Sequence, residues 1–199
     1  MTIKTEAESL FEEFCRSNNI ACEKITEGSE PTPDYRIVLN GQNVVVEIKQ
    51  VEEDDDFKSE DGVSTRTIGS HIRNKIHDVR KRKQLKAAAN LGIPAILLVY
   101  NNLDPMQEFG TGSHDFIAAM YGEPTVALDP DTNRITDSYH GRNHSLAEGK
   151  NTSFSAIGGL YRTATRPVVR IYENVFCEKN KLDFSLLPDC IEVTRIELE

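Results

Sequence analysis

The sequence predicts an α/β fold, and three stretches of the chain carry this prediction. Near the N-terminus, apolar residues recur at helical spacing, which predicts an amphipathic helix (Ala7, Leu10, Phe11, Phe14 and Cys15). Residues 20–25, 35–39 and 44–51 have the β-branched content and alternation of strands. Residues 93–100 form a continuous apolar segment, which predicts a strand buried on both faces of a sheet.

The second and third strands are expected to form an antiparallel hairpin, because residues 40–43 (Asn-Gly-Gln-Asn) have the composition of a tight reversal. Side chains alternate along a strand, so Glu47 and Lys49 share one face while Val44, Val46 and Ile48 share the other. The hairpin also returns the start of its first strand, at Asp34, toward Glu47 and Lys49.

These three side chains suit phosphate chemistry. The carboxylates of Asp34 and Glu47 are hard oxygen ligands for Mg²⁺ or Mn²⁺, and a bound divalent ion lowers the pKa of its water. The Lys49 ammonium could orient that water and offset phosphate charge. The backbone carbonyl of Ile48 could be a further metal ligand.

Pro33-Asp34 and Glu47-Ile48-Lys49 resemble the two halves of the signature of the PD-(D/E)xK nuclease superfamily. The resemblance covers about residues 5–101. It implies a restriction-endonuclease-like αβββαβ core, with a mixed sheet flanked by helices, in a single domain of residues 1–199. Residues 102–199 would then be a C-terminal β-rich elaboration. The implied function is a Mg²⁺- or Mn²⁺-dependent endonuclease, with DNA favoured over RNA as the substrate; the fold does not choose among restriction, repair and mobile-element enzymes.

Members of this superfamily often add a glutamate from the first helix, and Glu8 is expected to fill that role as a catalytic residue and metal ligand. Glu8 lies closer to the apolar stripe than Glu12 does. The alternative is that both are solvated helix residues.

A second helix is expected to begin at His71 and to end at Leu91-Gly92. It carries seven Lys or Arg residues against one acid up to Lys86, in a chain of net charge −9. Because a local positive field attracts a phosphate backbone, four of these cations are expected to bind nucleic acid (Arg73, Lys75, Arg80 and Lys83). A solvated charged face is the alternative. By resemblance to helices in some nucleases of the superfamily, Gln84 is expected to assist at the metal site.

The rest of the chain carries weaker signals. The acid-rich run of residues 52–61 is expected to be a solvated loop without a catalytic role, which could gate the site. Beyond residue 101, a short helix is expected at 114–121, a short strand at 125–128, and a polar loop over 129–152. Residues 154–161 and 167–172 should pair as strands, and 191–198 should form a final one.

The composition argues against a membrane protein and against a disulfide framework. No apolar run is long enough to cross a bilayer and no signal peptide is evident, so a cytoplasmic protein without a membrane partner is expected. Four widely spaced cysteines indicate reduced thiols.

Two other functions remain open: a catalytically idle module of the same fold that binds nucleic acid or a protein, and an enzyme acting on a small phosphorylated ligand. The absence of a glycine-rich phosphate loop weakens the second of these. Assembly into a homodimer is also left open.

Overall fold

A computed structural model describes residues 4–26, 28, 31–53 and 66–196 of the chain. Most of the acid-rich run, and with it the gating hypothesis, lies outside these residues. In chain order the elements are α1 (Glu6–Ser17), β1 (Ala21–Lys24), β2 (Tyr35–Leu39), β3 (Gln42–Gln50), α2 (Ser70–Arg82), α3 (Lys86–Asn90), β4 (Ala95–Tyr100), α4 (Ser113–Tyr121), β5 (Pro124–Leu128), β6 (Ile135–His140), β7 (Ala156–Arg162), β8 (Pro167–Glu173), a 3₁₀ turn (Phe184–Leu186) and β9 (Ile191–Thr194).

The main sheet has seven strands in the order β1-β2-β3-β4-β7-β8-β9. It is mixed: β3, β4 and β7 run parallel to one another, whereas β1 with β2, β2 with β3, and β7 with β8 pair antiparallel. All six residues of β4 are buried, and β4 is the middle strand, as the apolar run predicts. The C-terminal strands therefore extend the same sheet, and β9 pairs parallel to β8.

Helices cover both faces of this sheet, and the alternation of β3 sends its side chains to two separate cores. Val44, Val46 and Ile48 pack in the core that includes the apolar stripe of α1. Val45 and Val51 pack in the other core, with residues of α2 and α4. The chain is thus a mixed α/β protein with a seven-stranded sheet between helices, which confirms the predicted class. None of the helices in the described ranges is long and apolar enough to span a membrane.

The β2-β3 hairpin turns through two residues, Asn40 and Gly41, between the paired residues Leu39 and Gln42. Both turn residues have positive φ, 45° and 91°, as a type I′ turn requires. Strand β3 consequently begins two residues before the predicted start, and this tight turn fixes the register that brings Asp34 opposite Glu47.

The start of α2 is fixed by a buried carboxylate. Asp115 of α4, 2% exposed, accepts a hydrogen bond from the backbone N–H of Gly69 at 2.9 Å and forms an ion pair with Arg66. Because Gly69 precedes the first residue of α2, this contact ties α2 to α4 beside the candidate site.

Two predictions are wrong. The single helix expected from His71 to Leu91 breaks after Arg82, because Lys83 adopts a left-handed conformation (φ 59°) that ends α2 before α3 begins. The polar loop expected over 129–152 contains β6, which pairs with β5 in a separate two-stranded sheet. Every residue of β6 is exposed, so the strand lacks the apolar alternation that would have revealed it.

Candidate active site

The hairpin brings Asp34, Glu47 and Lys49 together as the alternation predicts. Tyr35 of β2 pairs with Val46 of β3, so continuing this register by one residue places Asp34 opposite Glu47. Lys49 lies two residues further along β3, and its Nζ is 2.5 Å from Oε1 of Glu47. The three groups therefore lie at the end of the hairpin away from its turn.

Glu47 is fully buried, with 0% exposure, although it is ionisable. Burial and the neighbouring charge of Asp34 raise its pKa from 4.5 to about 7, while the proximity of Lys49 and Gln84 opposes the rise. Neither carboxylate oxygen has a hydrogen-bond partner of ordinary geometry among the described residues. The site thus holds a buried carboxylate whose charge is compensated chiefly by one ammonium group.

Asp34 is held by the backbone of β3. Its Oδ2 accepts a hydrogen bond of 2.7 Å from the N–H of Ile48, and burial raises its pKa against the opposing effects of this bond and of Lys49. Because the N–H and C=O of one strand residue point to the same side, the Ile48 carbonyl also points toward the β2 side, where Asp34 lies.

Gln84 reaches the site because α2 ends early. The left-handed Lys83 turns the chain, and the side chain of Gln84 then contacts the Glu47 carboxylate, lowering its pKa. The amide Oε1 of Gln84 is itself buried without a hydrogen-bond partner in the described ranges. The structure therefore places the predicted auxiliary residue beside Glu47, through a helix break that the sequence did not reveal.

Glu8 lies in the same cleft, yet it is held by other residues. It forms a capping box with Thr5 at the start of α1, accepting a 2.7 Å hydrogen bond from the Thr5 N–H. Its other oxygen is paired with Lys24, and these contacts lower its pKa although burial opposes them. A role for Glu8 as a metal ligand stays a prediction.

An open cleft of about 850 Å³ reaches Glu8, Asp34 and Lys49, whereas Glu47, which is buried, and Gln84 are not among the described residues that line it. The side chains that line it carry four acids and four cations (Glu8, Asp34, Glu52, Asp78, Lys24, Lys49, Lys75 and Arg82). Of the four cations expected to bind nucleic acid, only Lys75 lines the cleft among the described residues. Arg73 and Arg80 line a second cavity beside α2, and Lys83 lines a smaller cavity that also includes Arg80.

Lys24 and Arg82 also line the cleft, although the sequence did not indicate this. Lys24 pairs with Tyr35 across β1 and β2, next to Asp34, and its ammonium bonds Glu8. In the sequence Lys24 is only a cation within the predicted first strand, because its position beside Asp34 and Glu8 depends on the pairing of β1 with β2.

The described residues contain no group of three or more His, Cys, Asp or Glu side chains placed to hold a metal ion. The carboxylates that meet here are Asp34 and Glu47, so any metal would take its remaining ligands from backbone oxygen, water or substrate.

Comparison of the chain with protein-family models, with curated proteins and with solved structures found no match.

Proposed function

We propose that the protein is a divalent-metal-dependent nuclease that hydrolyses phosphodiester bonds, with DNA as the favoured substrate. The observation that carries this proposal is the pairing of Asp34 with the buried Glu47 beside Lys49. Two adjacent carboxylates repel each other, and a cation between them relieves that repulsion. The element order α1-β1-β2-β3-α2-α3-β4, in which α2 and α3 stand where one helix is expected, supports the restriction-endonuclease-like core that the signature resembles.

The residues present fit Mg²⁺ or Mn²⁺. Asp34, Glu47 and the Ile48 carbonyl offer only oxygen atoms, and the Glu47 oxygens lack ordinary hydrogen bonds among the described residues. Mg²⁺ is commonly bound through one or two carboxylates, with water and substrate phosphate as its other ligands. Asp34 on the wall of the open cleft, with the buried Glu47 beside it, matches that pattern better than a closed, all-protein metal site does.

Each side chain then has a distinct part in hydrolysis. Asp34 and Glu47 hold the metal, which when bound supplies charge neutralisation at the phosphate and a more acidic water. Lys49 orients the attacking water and offsets phosphate charge. Gln84 holds the Glu47 carboxylate in place and favours its ionised form. Lys75 on the cleft wall attracts the phosphate backbone.

One observation favours a second candidate, a module of the same fold that only binds nucleic acid or protein. Glu8 is tied to Lys24 and Thr5, so the described carboxylates provide only two candidate ligands. In such a module Lys49 would serve only to neutralise Glu47. Divalent-metal binding that is lost in Asp34→Asn would exclude this candidate.

The proposal is tested by incubating the protein with single- and double-stranded DNA and RNA in Mg²⁺ or Mn²⁺, with a chelator control. The wild type should cleave, and Asp34→Ala should not. Asp131→Ala is the matched control, because Asp131 is exposed in the turn between β5 and β6, and this variant should cleave normally. Absence of cleavage on every substrate, together with absence of metal binding, would overturn the proposal.

A further inference from the structure

Helix α2 presents cations to two separate cavities, one on each flank. On one flank, Lys75 and Arg82 line the cleft together with Asp78. On the other flank, Arg73 and Arg80 line a second cavity of about 350 Å³, which we call the flank groove. Between the flanks runs a polar, solvent-exposed ridge of α2 that comprises Asn74, His77 and Lys81. Asn74 and His77 also line the flank groove and a neighbouring cavity that includes Glu52, Glu53 and Asp78.

The flank groove is uniformly basic, unlike the cleft. Its opposite wall is the segment of residues 144–151, which contributes Lys150, so the described lining has three cations and no carboxylate. A smaller neighbouring cavity adds Lys83 and Lys86 and shares Arg80 with the groove. Within the part of the chain that the structure describes, none of these cations forms an ion pair with a carboxylate, although Glu123 and Asp115 lie close enough to Arg73 to stabilise its charged form. In a chain of net charge −9, a surface whose lining has an excess of cations favours a polyanion.

The dimensions of α2 match a particular polyanion. An α-helix with its side chains is about 10–12 Å wide, and the major groove of B-form DNA is about 12 Å wide and admits one helix. A helix lying there has a phosphate backbone on each side of it. The deep, narrow major groove of A-form RNA does not admit a helix in this way.

We propose that α2 enters the major groove of double-stranded DNA, with one phosphate backbone in the cleft and the complementary backbone in the flank groove. This inference rests on the proposed function, because it takes the cleft to hold the strand that is cut. It names the substrate class as duplex DNA. The ridge residues Asn74, His77 and Lys81 would then face the edges of the bases.

Arg80 and Lys150 are the side chains to remove. Arg73 also bonds the carbonyls of Ile68 and Asn143, so its loss would disturb the fold. Arg80 contacts only His77, at 3.2 Å, among the hydrogen bonds described, and Lys150 donates to the His144 carbonyl at 3.0 Å. The matched control is Lys179→Ala with Lys181→Ala, which removes two exposed cations that line neither cavity.

The test is fluorescence anisotropy with labelled duplex DNA, duplex RNA and single-stranded DNA over a range of salt concentrations, in chelator so that no metal-dependent cleavage occurs. The wild type should bind duplex DNA at least about 10-fold more tightly than the other two. Arg80→Ala with Lys150→Ala should weaken duplex binding and reduce the slope of log K against log salt by about 2, since each phosphate contact contributes about 1. The control pair should change neither quantity, and thermal melting should show that both double variants are folded.

Equal binding of duplex RNA, or unchanged binding by the folded Arg80/Lys150 variant, would overturn the inference. Its failure is distinguishable from failure of the proposed function. Duplex DNA bound through the flank groove but never cleaved in Mg²⁺ or Mn²⁺ would keep this inference and reject the nuclease. Cleavage by a protein whose affinity for DNA does not depend on Arg80 and Lys150 would keep the nuclease and reject this inference.

Discussion

Glu47→Gln should stabilise the metal-free protein above neutral pH. The pKa of Glu47 is raised from 4.5 to about 7, chiefly by burial. Between these two pH values Glu47 therefore keeps its proton in the folded state, whereas the unfolded state has released it. The cost of ionising this buried carboxylate is absent below pH 4.5, grows as the pH rises, and is fully present above about pH 7. Glutamine has the same shape and no charge to bury, so the variant avoids that cost.

The size of the effect follows from the same shift. One pKa unit corresponds to about 1.4 kcal/mol, so a rise from 4.5 to about 7 corresponds to an upper limit of about 3 kcal/mol. Lys49 loses its partner in the variant, but its side chain is 20% exposed and can reach water. We therefore expect a net gain in the free energy of unfolding of about 2 kcal/mol.

The assay is urea denaturation of wild type and Glu47→Gln in chelator, at about pH 5 and about pH 8. The difference in stability between the two proteins should be small at the lower pH and should favour the variant at the higher pH. Glu23→Gln is the matched control, because the Glu23 side chain is 73% exposed, and it should show no such change. A stability difference that does not vary with pH would refute the claim that Glu47 is buried with a raised pKa.

Three further outcomes are expected. Lys49→Ala should lower the rate of cleavage by about 10²-fold or more while leaving substrate affinity nearly unchanged. Single-turnover kinetics would measure the rate and anisotropy the affinity. An equal loss of affinity would contradict the role of Lys49 at the reacting water. Gln84→Leu should shift the pH midpoint of Mn²⁺ binding to higher pH, because the amide lowers the pKa of Glu47; an unchanged midpoint in titrations would leave Gln84 without that role. Leu97→Ala, in the fully buried position of β4 that pairs with Glu47, should cost about 2–5 kcal/mol in urea denaturation, and a cost below 1 kcal/mol would contradict the packing described.

The local part of the site could be predicted from the sequence. The Asn40-Gly41 turn fixes the hairpin, and strand alternation then places Glu47 and Lys49 on one face and returns Asp34 to them. These relations depend only on neighbouring residues. The continuous apolar run of β4 likewise revealed a buried strand without any knowledge of its partners.

Other features depend on contacts between distant parts of the chain. The break at Lys83 occurs without proline or glycine, so no local signal marks the turn that brings Gln84 to Glu47. Strand β6 forms because β5 offers it a partner, and its exposed side chains carry no pattern. The division of the basic residues between the cleft and the flank groove depends on the segment that contributes Lys150, which only the folded structure places beside α2.

The proposed function requires Asp34 and Glu47 to hold a divalent cation together. Calorimetric titration of the wild type with Mn²⁺ at about pH 8 and about pH 6 tests it most directly, alongside Asp34→Asn and Glu47→Gln. We expect binding at the higher pH, weaker binding at the lower pH because Glu47 becomes protonated, and loss of binding in both variants. Absence of binding by the wild type at the higher pH, or binding that both variants retain, would contradict it.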